Sequence, residues 1–220
     1  MQITDKLNLH LFNGGGYKRN ISIDRLKDHS LIAKKFKNLA PNMPRPDLII
    51  SSYPTIELCR EAVRYGIEND IPVVIDIRDL WPDIYIDALP KGFKWILRFI
   101  LHLVYSKTVK NIFKNATSCI GISDDYLKWA LEKGDRDNKT SDTIFYLGYE
   151  KPHYDSSQNH SSLGKLYPGI LDKKLITFVG TFGRTYDLSV PIEAARHFQE
   201  KDDSLIFVFC RSTLSKVSSN

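Results

Sequence analysis

Asp76, Arg78, Asp79 and Trp81 are crowded together directly after an unbroken aliphatic run. The whole stretch reads Ile71-Pro72-Val73-Val74-Ile75-Asp76-Ile77-Arg78-Asp79-Leu80-Trp81-Pro82-Asp83. Its first half, rich in Val and Ile, has the character of a strand buried on both faces of a parallel sheet. Its second half turns polar where such a strand must end. In open α/β sheets ligands bind outside the carboxyl ends of the strands, so these residues stand where chemistry is expected. A carboxylate such as Asp79 can accept a hydroxyl proton or orient the hydroxyl that carries it. Arg78 can fix that carboxylate or meet a phosphate. The same residues admit a structural reading, in which Arg78 and Asp79 neutralise each other and Trp81 packs under a loop.

A second place for chemistry is Gly180-Thr181-Phe182-Gly183-Arg184. It follows the aliphatic run Leu175–Val179 and precedes a helix expected over 188–201. A strand, a glycine turn and a helix in that order can point backbone amides at a phosphate, and Arg184 can add a charged fork. Such turns are also ordinary α/β joints. Asn13-Gly14-Gly15-Gly16-Tyr17-Lys18-Arg19 could hold a phosphate on its backbone N–H groups, but it lacks the spacing of a dinucleotide fingerprint and reads more readily as a flexible loop. Cys59, Cys119 and Cys210 are far apart in apolar segments and read as reduced core residues of a cytosolic protein. His102 alone is no metal site, and none is expected.

The elements that must position these residues alternate between strand and helix. Leu7 to Phe12 suggests a short strand. Ser22 is a suitable N-cap for a helix running to Leu39, with Asp24 in its first turn and Pro41 beyond its end. Leu48-Ile49-Ile50-Ser51 reads as a strand with Ser52 and Tyr53 at its carboxyl end. Ile56, Cys59, Val63 and Ile67 then mark one helical face. Cys119–Ile122 and Thr143–Leu147 read as further strands, separated by a helix capped by Ser123 with Gly134 as its C′ residue. Short joints between strand and helix predict right-handed parallel crossovers. The fold class is therefore α/β: a Rossmann-like parallel sheet over residues 1–150, a polar linker over 151–174, and the start of a second α/β domain over 175–220.

The chain has 220 residues, 42% hydrophobic and 26% charged, with a formal net charge of +5. That length suits about one and a half domains, and the charge favours acidic partners. The cations are spread over helices without a recognition motif, which argues against nucleic acid. The N-terminus has no signal-peptide character. A long helix over 91–115 is apolar at its centre and flanked by Lys91, Lys94, Lys107, Lys110 and Lys114. It is too short to span a bilayer; it is either clamped in the core or laid in the interface of an anionic membrane.

With these segments in view the sequence resembles the GT-B glycosyltransferases, specifically glycosyltransferase family 4. The residues that carry the resemblance are Pro46-Asp47-Leu48-Ile49-Ile50-Ser51-Ser52-Tyr53-Pro54, Pro72–Pro82, Ala116–Ser123 and Ile176–Gly183. The resemblance implies an acceptor-side N-terminal domain and a nucleotide-sugar-binding C-terminal domain. It implies transfer of a sugar with retention from a UDP- or GDP-sugar, without a permanently bound cofactor or a metal. The acceptor would be a cell-surface polysaccharide, a lipopolysaccharide or another lipid-linked glycan. The place of action would be the cytoplasm, at the inner face of the membrane. Asp79 is then the catalytic candidate. Ser52, Tyr53, Arg78 and Trp81 line the acceptor side, and Gly180, Thr181, Gly183 and Arg184 hold the donor diphosphate. The chain departs from the family's pattern at both ends, lacking the first strand and most of the donor domain, so transfer by this chain alone is not expected. The alternative is a non-catalytic half-protein that binds an acceptor or a partner chain.

Overall fold

The computed structural model describes residues 2–4, 6–17, 22–83, 94–149, 151, 162–180, 182, 186–199, 201–202 and 204–211. The chain divides into two units, Met1–Gly148 and Tyr149–Asn220.

The first unit opens with a small antiparallel hairpin, β1 (Gln2–Thr4) against β2 (Leu7–Asn8). The strand expected over Leu7–Phe12 is thus two residues long and turns back on the chain's own start. Helix α1 (Ile23–Leu39) follows, and Ser22 Oγ accepts the Arg25 N–H at 3.2 Å as an N-cap. A 3-10 turn, Ala40–Asn42, leads from α1 towards the first strand of the main sheet.

That sheet contains β3 (Ile49–Tyr53), β4 (Val73–Ile77), β5 (Ser118–Gly121) and β6 (Thr143–Ile144), in that spatial order and all parallel. β4 lies between β3 and β5, away from either edge. The crossovers are α2 (Ile56–Glu68), α3 (Lys94–Asn115) and α4 (Asp124–Gly134). The strands advance in one direction, so right-handed connections carry successive helices to the same face. There Tyr53, Ile75, Ile77 and Cys119 pack with Ile56, Val63, Val109, Phe113 and Leu127. The register sets Ile50 beside Val74 and Ser52 beside Asp76 and Ile120. These residues point the other way; Ile50 is 64% exposed, and Val74, Asp76 and Ile120 are half-buried. β4 therefore alternates between buried and half-buried positions. Its aliphatic run does not mark a strand covered on both faces.

Two further expectations are corrected. The strand over Thr143–Leu147 ends at Ile144; Phe145 N–H still donates to Gly121 O at 3.0 Å, but Phe145, Tyr146 and Leu147 are exposed. Gly134 is the last residue of α4, and the left-handed position falls on Asp135, with φ of 49°. Gly134 is small for a different reason: a Cβ there would come within 2.9 Å of Phe113 Cβ.

The short β6 is anchored by a buried ion pair. Asp142 accepts the backbone N–H groups of Cys119 and Lys139, each at 2.7 Å, and pairs with Arg136 at 2.5 Å.

The second unit holds a short helix α5 (Ser162–Leu166), two parallel strands β7 (Lys174–Gly180) and β8 (Leu205–Arg211), and helix α6 (Ser189–Gln199). The segment 151–174 thus carries helical structure where it is described. Among the described residues none of this unit is fully buried.

Asp142 holds both a cation and two amides out of water, so its loss strands all three. Asp142→Ala is expected to cost about 3–5 kcal/mol, measured by urea unfolding.

Candidate functional site at the carboxyl edge of the sheet

The residues after β4 leave the sheet in a turn fixed from three sides. Tyr53, the last residue of β3, is fully buried, and its hydroxyl donates to Trp81 O at 2.6 Å. The Trp81 ring stands edge-on to Tyr105 of α3, with centroids 4.8 Å apart. Asp83 receives the Trp129 indole N–H at 3.0 Å and the Lys133 ammonium at 2.6 Å, both from α4. Burial, with the nearby Asp83, Asp79 and Glu57 charges, pushes the Tyr53 phenol well above its usual pKa. Tyr53 remains a neutral donor, as that bond requires.

This corrects two expectations. Tyr53 lies in the core and does not face an acceptor; residues 49, 51 and 53 share the helix-covered face of β3. Arg78 does not pair with Asp79: its Nε lies 2.6 Å from Asp76 Oδ2. Asp76 and Arg78 are two residues apart in extended chain, and side chains at that spacing point the same way. Asp79 is half-buried, with no ion pair among the described residues. Its charge contributes, after burial, to raising the Tyr126 phenol. Ser52 is exposed on the open face, and its carbonyl accepts from Thr55 Oγ1 at 2.8 Å and Cys59 Sγ at 3.4 Å.

A groove of about 530 Å³ opens beside this turn between α3 and α4. Pro82, Asp83, His102, Tyr105, Lys110 and Glu132 are among its lining residues. Its lining mixes hydroxyl, carboxylate and ammonium groups with apolar side chains such as Leu101 and Val109.

A cluster missing from the sequence reading adjoins the turn. Glu57, in the first turn of α2, accepts the Tyr105 hydroxyl at 3.3 Å, and its other oxygen lies 3.9 Å from His29 Nδ1. Arg25 Nε donates to His29 Nε2 at 3.4 Å. The Arg25 guanidinium also lies 5.8 Å from the Tyr17 ring centre. The glycine loop before α1 is fastened to that helix. Gly16 N–H donates to Asp28 Oδ1 at 2.8 Å, and Lys35 Nζ donates to Asn13 O at 2.5 Å. A Cβ at Gly14 would sit 2.0 Å from Asp28 Oδ1. The loop is therefore held against α1, and Asp28 already occupies its amide. Glu57 carries a weak sequence signal, an acid at a helix start; His29 carries none.

On the second unit, Gly180 is the last residue of β7, one residue beyond the expected end of that strand. Thr181, Gly183 and Arg184 lie outside the described residues. Cys59 and Cys119 are buried free thiols, each pushed up by burial to about 11, while Cys210 is half-buried. Among the described residues no group of three or more His, Cys, Asp or Glu could hold a metal ion.

No family model matches the chain, and no curated protein matches it. Among solved structures, the crystal structure of Anabaena Alr3699/HepE in complex with UDP-glucose matches with a TM-score of 0.43 at 14% identity. The match covers 86% of this chain and 45% of that one, so this chain spans less than half of that protein's length.

The pKa of His29 is lowered, first by burial and then by Arg25. Below about pH 6.5 the unfolded chain takes up a proton that the folded His29 refuses. The stability that neutral His29 contributes is complete above that pH and is lost as pH falls towards the depressed folded value. Melting temperature measured from pH 7.5 to 5 is expected to fall less steeply in His29→Gln than in the wild type.

Proposed function

We propose that this chain is the acceptor-side domain and the beginning of the donor domain of a retaining glycosyltransferase. The donor is a UDP- or GDP-sugar, and the acceptor is a cell-surface polysaccharide or a lipid-linked glycan. The place of action is the cytoplasmic face of the membrane. The observation that carries the reading is the position of Asp79. It follows the central strand at the sheet's carboxyl edge, inside the sequence string that resembles family 4, with Arg78 engaged elsewhere by Asp76.

In this reading Asp79 orients the acceptor hydroxyl, and Arg78 and Trp81 shape its surroundings. Gly180 and Thr181 offer amides to the leaving diphosphate, with Gly183 and Arg184 completing the turn. Departure of the nucleoside diphosphate breaks the anomeric C–O bond. The acceptor oxygen bonds to the same face of that carbon, and the hydroxyl proton passes to the departing phosphate. No protein nucleophile is required.

A second reading is favoured by the open sheet face bearing Ile50 and by the lack of fully buried residues in the described part of the second unit. A parallel sheet is normally covered on both faces. A non-catalytic half-protein, completed by a partner chain, would supply that cover.

Calorimetric titration with UDP- and GDP-sugars separates the two. The first reading expects saturable binding that Arg184→Ala weakens; absence of binding to either nucleotide sugar favours the second. Asp79→Asn is expected to leave the melting temperature unchanged, because Arg78 keeps Asp76. Wherever transfer is measured, the same substitution should lower turnover, because a neutral amide orients the acceptor hydroxyl less firmly than a carboxylate. A drop in stability with unchanged turnover would make Asp79 structural.

A further inference from the structure

A second groove, of about 440 Å³, runs between α1 and the Glu57–Tyr105 pair. Its size falls within the roughly 300–1,000 Å³ typical of small-molecule sites. Lys27, Ser30, Leu31 and Lys34 line it from α1, and Glu57 and Tyr105 line it from α2 and α3. The four residues of α1 follow one another at steps of three, one and three, so they form a single stripe on one helix face. Tyr105 also meets Trp81 edge-on. The groove therefore adjoins the turn that carries Asp79 without taking any residue of that turn into its lining.

The two walls differ in charge and neither satisfies the other. Lys27 and Lys34 are exposed, and among the described residues neither pairs with an acid. Opposite them, the Glu57 side chain is only 12% exposed. It accepts the Tyr105 hydroxyl at 3.3 Å, while His29 Nδ1, at 3.9 Å, is beyond hydrogen-bond reach. A carboxylate can accept about four hydrogen bonds, so the described residues leave most of that capacity unused. Burial, and then the Glu57 charge, pushes the Tyr105 phenol up to about 12. Its hydroxyl stays protonated, commits that proton to Glu57 and keeps its oxygen as an acceptor. The groove thus joins a half-buried carboxylate, a phenol and two cations at its rim.

We propose that this groove binds a phosphorylated sugar or polyol, with ligand hydroxyls donating to Glu57 and the phosphate held by Lys27 and Lys34. Charge selects the anion. A phosphate monoester carries about −1.5 to −2 at pH 7, which matches two lysines; a carboxylate matches one. Lys27 and Lys34 are two turns apart, about 10 Å along the helix axis, a span that their long flexible stems can close around one group. Ser30, between them on the stripe, adds a hydroxyl for the same phosphate. Glu57 selects for hydroxyls, because its free lone pairs need donors that a bare phosphate lacks. Binding here does not depend on the glycosyltransferase reading.

The test is calorimetric titration of the purified chain with glucose 6-phosphate, glucose, glucuronate and inorganic phosphate. Glucose 6-phosphate is expected to saturate, and each of the others, lacking part of the charged or hydroxyl contacts, to bind about tenfold more weakly or worse. Lys27→Glu with Lys34→Glu should abolish binding; both positions are exposed, so circular dichroism should show an intact fold. Glu57→Gln should weaken glucose 6-phosphate by about tenfold and leave inorganic phosphate unchanged. Absence of saturable binding, or binding untouched by the lysine pair, overturns the proposal. Inorganic phosphate bound as tightly as glucose 6-phosphate also overturns it, because the groove would then be a cationic patch that reads no hydroxyls. Equal binding of glucuronate overturns the choice of phosphate. UDP- and GDP-sugars carry no phosphate monoester, so their titration reports on the glycosyltransferase reading separately.

Discussion

The Tyr53 hydroxyl has no access to water, and the arrangement at the sheet's carboxyl edge depends on where it finds an acceptor. A buried hydroxyl without a partner costs roughly 1–3 kcal/mol, and here the partner is the Trp81 carbonyl. That single bond ties the end of β3 to the turn after β4. Ring packing of Trp81 on Tyr105 and the bonds from Trp129 and Lys133 to Asp83 brace the same turn from α3 and α4. Two strands and two helices thus converge on three consecutive residues, and Asp79 is carried on the chain leading into them.

The electrostatics follow from this convergence. Glu57, Asp79 and Asp83 all bear on the Tyr53 phenol, and each opposes its ionisation. Asp83 is neutralised by Lys133, and Glu57 is bonded to Tyr105 with His29 close by. Asp79 is half-buried and has no such partner among the described residues. Arg78 would have quenched it, but the two-residue repeat of extended chain gives Arg78 to Asp76.

Much of the fold was legible in the sequence because its local signals agree with its tertiary structure. The aliphatic runs at Ile49, Val73 and Cys119 each form a strand, and Ser22 caps α1 as its chemistry suggests. The misreadings came where one-dimensional pattern hides a face. The run Val73–Ile77 looks uniformly apolar, yet Val74 points towards the uncovered side. Tyr53 looked like an edge residue because it follows two serines, although its period-two relation to Ile49 and Ser51 places it in the core. The cluster of His29 with Glu57 joins two helices through space, and no spacing within either segment announces it. The N-terminal half of α3 reads as apolar all round, so no spacing in it says which side is covered; the structure leaves Trp95 and Phe99 exposed.

The central claim is that the buried Tyr53–Trp81 hydrogen bond is required, alongside the contacts from α3 and α4, to hold the Asp79 turn in place. Tyr53→Phe removes the hydroxyl and keeps the ring against Phe113 and Trp129. Amide hydrogen exchange on that variant tests the claim directly. The expected result is faster exchange across residues 78–83, with residues 73–77 of β4 as protected as in the wild type. Unchanged exchange over 78–83 would mean that the turn is held by other contacts, and would contradict the account.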